Sequence, residues 1–253
     1  MIIDIEGIRF KYNGVDILKN MSLKIAKGKV TGIIGPNGSG KTTLLKCMNR
    51  ILSPYKGAIS LEEKNLKRYS LNEIAKTVGY VPQSEGRAFP TTVFETIMMG
   101  RKPHIRWAQS KRDLDRVSEV IELLGLDDIS HRNINKLSGG QRQKVVIGRA
   151  LAQEPKILLL DEPTANLDIR HELEVMDIIR DQSKYGVTVL MSVHDLNLAA
   201  RYCDNILMLK RGRIYAAGGR EVLNPKNIRA VYGINVKVIR DSKRDVIIPL
   251  SSN

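Results

Sequence analysis

The sequence predicts an α/β fold: a core built on a mostly parallel sheet, an antiparallel β layer at the N-terminus, and an inserted helical subdomain. Three observations lead there. Short apolar runs, such as Ile-Leu-Leu-Leu at 157–160, read as strands buried on both faces rather than as half-exposed alternating ones. One such run passes through a glycine-rich loop directly into an amphipathic helix. Between residues 84 and 150, apolar side chains recur at helical spacing instead.

The elements follow in chain order. Ile2, Ile3 and Ile5, then Ile17, Met21, Leu23 and Ile25, suggest an antiparallel layer within residues 1–30. Val30, Ile33 and Ile34 form a short buried strand. Gly35-Pro36-Asn37-Gly38-Ser39-Gly40-Lys41-Thr42 then fits the pattern G-x-x-x-x-G-K-[ST], followed by Thr43. Glycines let such a loop curl so that successive backbone N–H groups point at phosphates. The lysine reaches the outer phosphate oxygens and the threonine hydroxyl suits Mg²⁺. Leu44, Leu45, Met48, Ile51 and Leu52 predict an amphipathic helix whose positive N-terminal end faces those phosphates. The chain is therefore expected to bind a nucleoside triphosphate.

An apolar strand at 79–82 ends at Gln83, and the inserted region begins. Within it, Leu114, Val117, Ile121 and Leu124 lie on one helical face, with Gly125 as the terminator. Leu137-Ser138-Gly139-Gly140-Gln141 opens another helix through Val145, Val146, Ala150 and Leu151. A serine and two glycines there expose several N–H groups, a second anion site in a chain with a single phosphate loop. The strand at 157–160 ends in two carboxylates. Asp161 suits Mg²⁺ and Glu162 is placed to act as general base toward water, because ligands of parallel sheets gather beyond the carboxyl ends of the strands. A further strand, 187–193, ends at His194-Asp195, where the histidine is expected to contact the terminal phosphate. Residues 205–217 read as a hairpin around Arg211-Gly212.

Composition narrows the function. The net charge is +14, with +7 in residues 1–60, +7 in residues 201–253 and 20 charges of each sign between. The 12 aromatic residues form no stripe interleaved with basic side chains, so nucleic acid is not the expected partner; solubility, attraction of ATP or proximity to an anionic membrane surface would account for the excess equally well. No apolar stretch approaches the roughly 20 residues that cross a bilayer, and no secretion signal is read at the N-terminus, so a cytosolic location is expected. Cys47 and Cys203 both fall on predicted helices and read as reduced packing residues.

Taken together, the loop at 35–42, Gln83, residues 137–141, the strand ending at Asp161 and Glu162, Asn166-Leu167-Asp168, and His194 resemble the ATP-binding subunit of an ATP-binding-cassette (ABC) transporter, in the family's order and along essentially the whole chain. The resemblance implies one ATP-binding domain over 1–253, with residues 1–83 and 151–253 forming the nucleotide core with its β layer and residues 84–150 the helical subdomain. It implies a head-to-tail dimer in which each ATP lies between the loop of one copy and the Ser138-Gly139-Gly140-Gln141 stretch of the other. Tyr12 would stack on adenine, Gln83 would touch Mg²⁺ and the attacking water, and Asp168 would cross the dimer interface. Ala165 departs from the serine or glycine of many relatives, with no loss of activity expected. Phe89-Pro90-Thr91-Thr92-Val93, Gly100-Arg101-Lys102-Pro103-His104 and Val231-Tyr232-Gly233 resemble importers of ferric siderophores, haem and cobalamin, with manganese or zinc importers next. A membrane permease would dock near residues 83–104 at the cytoplasmic face of the membrane, served indirectly by an extracytoplasmic binding protein. The alternatives from other classes are a soluble cassette ATPase acting on ribosomes or DNA, and a non-catalytic cassette. The first would normally carry paired cassettes or a coiled-coil insertion, and the second tends to lose the glutamate or histidine present here.

Overall fold

In the computed structural model, which describes residues 1–83, 90–240 and 245–252, the chain opens with a long antiparallel pair, β1 (Ile3–Tyr12) and β2 (Val15–Ile25). β3 (Val30–Ile34) is buried at every position and feeds α1 (Lys41–Met48), after which β4 (Lys56–Leu61) and β5 (Lys64–Asn65) return to the first layer. Next come α2 (Leu71–Thr77), β6 (Val78–Val81), α3 (Val93–Met98), α4 (Lys111–Leu123), α5 (Gly139–Ala152), β7 (Ile157–Asp161) and α6 (Ile169–Lys184). The last stretch holds β8 (Thr188–Ser192), α7 (Leu196–Tyr202), β9 (Asn205–Lys210), β10 (Arg213–Gly218), α8 (Pro225–Tyr232), β11 (Ile234–Arg240) and β12 (Asp245–Ser252).

The chain divides into two compact units. The first comprises Met1–Arg68 with Thr188–Asn253, the second Tyr69–Val187. In the first, β2-β1-β4-β5 form the antiparallel layer, and β3 lies between β8 and β9, parallel to both. β9 continues through a tight turn into antiparallel β10. In the second unit β6 runs parallel to β7, and α3, α4 and α5 pack on one another. The mostly parallel core, the antiparallel N-terminal layer and the inserted helices match the sequence-based expectation.

Three details differ. α1 stops at Met48, not at Leu52: Asn49 caps it, Arg50 adopts a left-handed φ of 54°, and the Ile51 and Leu52 N–H groups both turn back to the Lys46 carbonyl, leaving Ile51 exposed. Cys203 is not helical but caps α7, with its Sγ packed where a Cβ on Gly32 would lie; Cys47 is within α1 as expected. The N-terminal layer also recruits β4 and β5 from beyond residue 30.

Candidate functional site

The glycine-rich loop leaves the buried end of β3, where Gly35 is wedged so tightly that a Cβ would lie 2.4 Å from the Leu209 carbonyl oxygen. Gly40, at φ 103°, is the N-cap of α1 and has no side chain with which to cap it. No side chain caps this helix start, which leaves its positive end open to the loop, the arrangement that suits an anion. Lys41 is buried, its Nζ donating to the Gly35 carbonyl at 2.8 Å and the Pro36 carbonyl at 3.4 Å, so the ammonium is folded back over the loop. The Ser39 hydroxyl is buried without a hydrogen-bond partner among the described residues. Thr42 and Thr43 follow in the first turn, which carries no acidic residue of its own. Elsewhere in this unit Tyr12 ends β1, half-exposed, with its ring edge-on to Phe10 at 4.8 Å. His194 is exposed just beyond β8, next to Asp195, which caps α7.

In the second unit the parallel register of β6 and β7 pairs Val81 with Leu160, so the residues two further on, Gln83 and Glu162, emerge side by side. Gln83 Nε2 donates to Glu162 Oε2 at 2.5 Å. Glu162 has φ 51°, a left-handed conformation that non-glycine residues adopt at a cost of roughly 1–3 kcal/mol and that turns its carboxylate off the strand axis. Asp161, the last residue of β7, is buried. Its negative charge, after burial itself, helps push the Tyr80 hydroxyl up to about 12. With its amide nitrogen committed to Glu162, Gln83 offers its oxygen. Within this unit that oxygen and the Asp161 carboxylate are hard oxygen donors of the kind that suit Mg²⁺. No group of three or more His, Cys, Asp or Glu side chains among the described residues forms a dedicated metal cage.

The start of α5 is closed by a capping box: the Gln141 N–H donates to the Ser138 hydroxyl at 3.3 Å, and the Ser138 N–H to Gln141 Oε1 at 3.2 Å. The two glycines between them differ. A Cβ on Gly140 would lie 2.4 Å from Cδ2 of His171, whereas a Cβ on Gly139 would meet nothing within 4 Å. His171 in turn holds Asp168, its backbone N–H donating to one carboxylate oxygen at 2.9 Å and its Nδ1 lying 2.7 Å from the other. These contacts, His171's backbone N–H first, keep the Asp168 carboxyl below its ordinary range. One turn on, Lys144 meets Glu174 at 2.8 Å. The structure thus brings Ser138, Gly139, Gly140 and Gln141 together with Asp168 through a histidine the sequence reading overlooked, although its i,i+3 spacing from Asp168 at a helix start is a legible capping pattern.

The Gly100-Arg101-Lys102-Pro103-His104 stretch also takes a definite place. Arg101 is buried, donating through Nε to Asp113 at 2.9 Å and through Nη1 to the Ala152 carbonyl at 2.7 Å and to Glu154 at 2.8 Å. His104 Nε2 lies 2.9 Å from the Gln153 carbonyl oxygen. Gly100 sits where a Cβ would be 2.1 Å from the Arg149 carbonyl oxygen. This motif staples the end of α5 to the start of α4. Phe89, the first residue of the other importer-like stretch, lies outside the described residues, as do residues 84–88.

Comparison with known proteins places these features in one family. The family model described as ABC transporter matches residues 18–165. An ABC transporter ATP-binding protein of Methanocaldococcus jannaschii, described as uncharacterized, is 49% identical over 99% of this chain and 98% of its own length. The iron(3+)-hydroxamate import ATP-binding protein of Bacillus subtilis is 38% identical over 94% of this chain and 90% of its own. A solved dimeric ATP-binding cassette in a post-hydrolysis state, bound to ADP and phosphate, superposes with a TM-score of 0.76 at 29% identity, covering 86% of this chain and 98% of that one. The chain therefore belongs to the ABC transporter family, as one of its ATP-binding ATPase cassettes.

Proposed function

We propose that this cassette powers import of a metal chelate, a ferric siderophore, haem or cobalamin, as a head-to-tail dimer bound to a membrane permease at the cytoplasmic face. The observation that carries the dimer is Gly139. It has no positive φ, and no atom of the described residues lies within reach of a Cβ, so the space above it is open to a ligand from outside the chain. A nucleotide held by the loop of a second copy fits that space, with the first-turn N–H groups of α5 receiving the terminal phosphate. A solved relative that is dimeric and bound to ADP and phosphate supports a dimeric cassette.

Within each site the backbone of residues 35–40, with Lys41, Thr42 and Thr43, cradles the phosphates, and Tyr12 stacks on adenine. Mg²⁺, held by Thr42, Asp161 and Gln83, would neutralise phosphate charge. Glu162, oriented by Gln83, takes the proton of the attacking water, and His194 holds the terminal phosphate. Asp168 reaches the opposing copy. Bound triphosphate draws two cationic pockets together, and its hydrolysis releases them. The permease meets the exposed part of residues 83–104; Gly100 and Arg101, buried within that stretch, serve the fold instead. The import names of curated relatives, the iron(3+)-hydroxamate protein among them, support the chelate class. An extracytoplasmic binding protein would act on the complex only through the permease.

The experiment is ATPase activity of the chain reconstituted with the permease and binding protein, with and without a ferric hydroxamate. Stimulation by the loaded binding protein and uptake of iron into vesicles are expected. Hydrolysis indifferent to the permease would reject the transport reading.

A further inference from the structure

Residues 101–112, Arg-Lys-Pro-His-Ile-Arg-Trp-Ala-Gln-Ser-Lys-Arg, contain five Lys or Arg and no Asp or Glu. Both ends of this stretch are fixed from within. Arg101 is buried against Asp113 and the Ala152 carbonyl, and His104 is tied to the Gln153 carbonyl. At the other end Ser110 and Asp113 form the capping box of α4, with the Ser110 hydroxyl donating to Asp113 at 2.6 Å. Between these anchors the chain turns outward, and Trp107 is 99% exposed. A fully exposed indole between two anchored ends, beside several cations, has the amphipathic character that interfacial tryptophans use.

The surrounding charge identifies the partner. Lys102, Arg106 and Lys111 are exposed, and Arg112 is exposed with Glu154 at 3.7 Å. The acidic groups nearby are Asp113 and Glu154, both engaged by Arg101, and Asp115 and Glu119 further along α4, Glu119 being paired with Arg116. An exposed indole flanked in sequence by exposed cations matches the headgroup layer of an anionic bilayer. Indole rings settle at that depth, and lysine and arginine are drawn to the negative surface within a Debye length. We propose that residues 105–111 form a membrane-surface contact, with Trp107 seated among the headgroups of anionic phospholipid and Arg106 and Lys111 drawing it there. This contact does not rest on the nucleotide site or on the identity of the cargo.

Trp107 is the only tryptophan of the chain, so its fluorescence reports on this loop alone. With the full chain and vesicles of phosphatidylcholine plus phosphatidylglycerol, its emission is expected to shift to the blue, and the chain to sediment with the vesicles. Pure phosphatidylcholine should give neither effect, and raised salt should reverse both. Arg106→Gln with Lys111→Gln should weaken partitioning roughly twenty-five-fold, roughly fivefold per cation removed. Trp107→Ala should weaken sedimentation while leaving nucleotide binding unchanged. No shift with anionic vesicles, or an equal shift with both kinds, overturns the proposal. A shift seen only with the permease protein, and not with vesicles, overturns it in favour of a protein partner.

Discussion

Replacing Gly140 by alanine tests how the start of α5 is built. The new Cβ would lie 2.4 Å from Cδ2, 2.5 Å from Cγ and 3.0 Å from Cβ of His171. Carbon atoms prefer about 3.5–4.0 Å, so the overlap exceeds 1 Å and falls on the root of the ring, which a rotamer change cannot easily remove. Overpacking of this kind costs typically about 1–3 kcal/mol. For a chain of this size each kilocalorie lowers the melting temperature by about 2–4 °C. His171→Ala alone removes the ring contact to Asp168, a net loss of about 0.5–1.5 kcal/mol for one hydrogen bond, yet it also empties the space the alanine needs. In the double variant the two losses should therefore not add, and the coupling should recover about 1 kcal/mol or more. Gly139→Ala, one residue away with open space around it, should melt like the parent chain but lose hydrolysis, because its methyl group stands where the partner's nucleotide is proposed to arrive. Scanning calorimetry without nucleotide, paired with an ATPase assay, reads both. Equal destabilisation by the two alanines, or additive losses in the double variant, would refute the packing argument.

Other expectations follow from the buried staple. Arg101→Met keeps the bulk of the side chain but leaves the Asp113 carboxylate and the Ala152 carbonyl without their guanidinium, at a cost of about 3–5 kcal/mol; thermal unfolding should show it, and adding Asp113→Asn should restore part. Asp113 also gives the fold an acid dependence. Its carboxyl is lowered from 3.8 to about 2, first by the hydroxyl and backbone N–H of Ser110 and then by Arg101. Since the folded value is the depressed one, about 2 kcal/mol of stability is present above about pH 4 and fades as the pH falls toward 2. Denaturant titrations of the parent and of Asp113→Asn should converge over that window, and parallel curves would contradict the assignment.

The elements most legible in the sequence were those whose chemistry is carried by the backbone. The loop at 35–42 and the apolar strands at 30–34 and 157–161 announce themselves because glycine spacing and continuous burial leave a local mark. The pairing of Gln83 with Glu162 could not be read: it depends on a parallel register between residues 79 positions apart. The end of α1 was misjudged because Ile51 continues the apolar period after Asn49 has already capped the helix. Gly100-Arg101-Lys102-Pro103-His104 was recognisable as a motif, but its arginine points inward to partners 12 to 53 residues away, which no local pattern shows. The hairpin of β11 and β12 gave too little alternation to be recognised, since among its described residues only Val236 and Ile247 are deeply buried.

The two-copy nucleotide site is most directly tested by sedimentation of Glu162→Gln, which should bind ATP and Mg²⁺ but fail to activate water. With ATP it should sediment as a dimer, and without ATP as a monomer. The additional change Ser138→Arg should abolish the dimer while leaving ATP binding intact. A Glu162→Gln chain that saturates with ATP yet stays monomeric, or a parent chain that hydrolyses ATP at full rate as a monomer, would contradict the account.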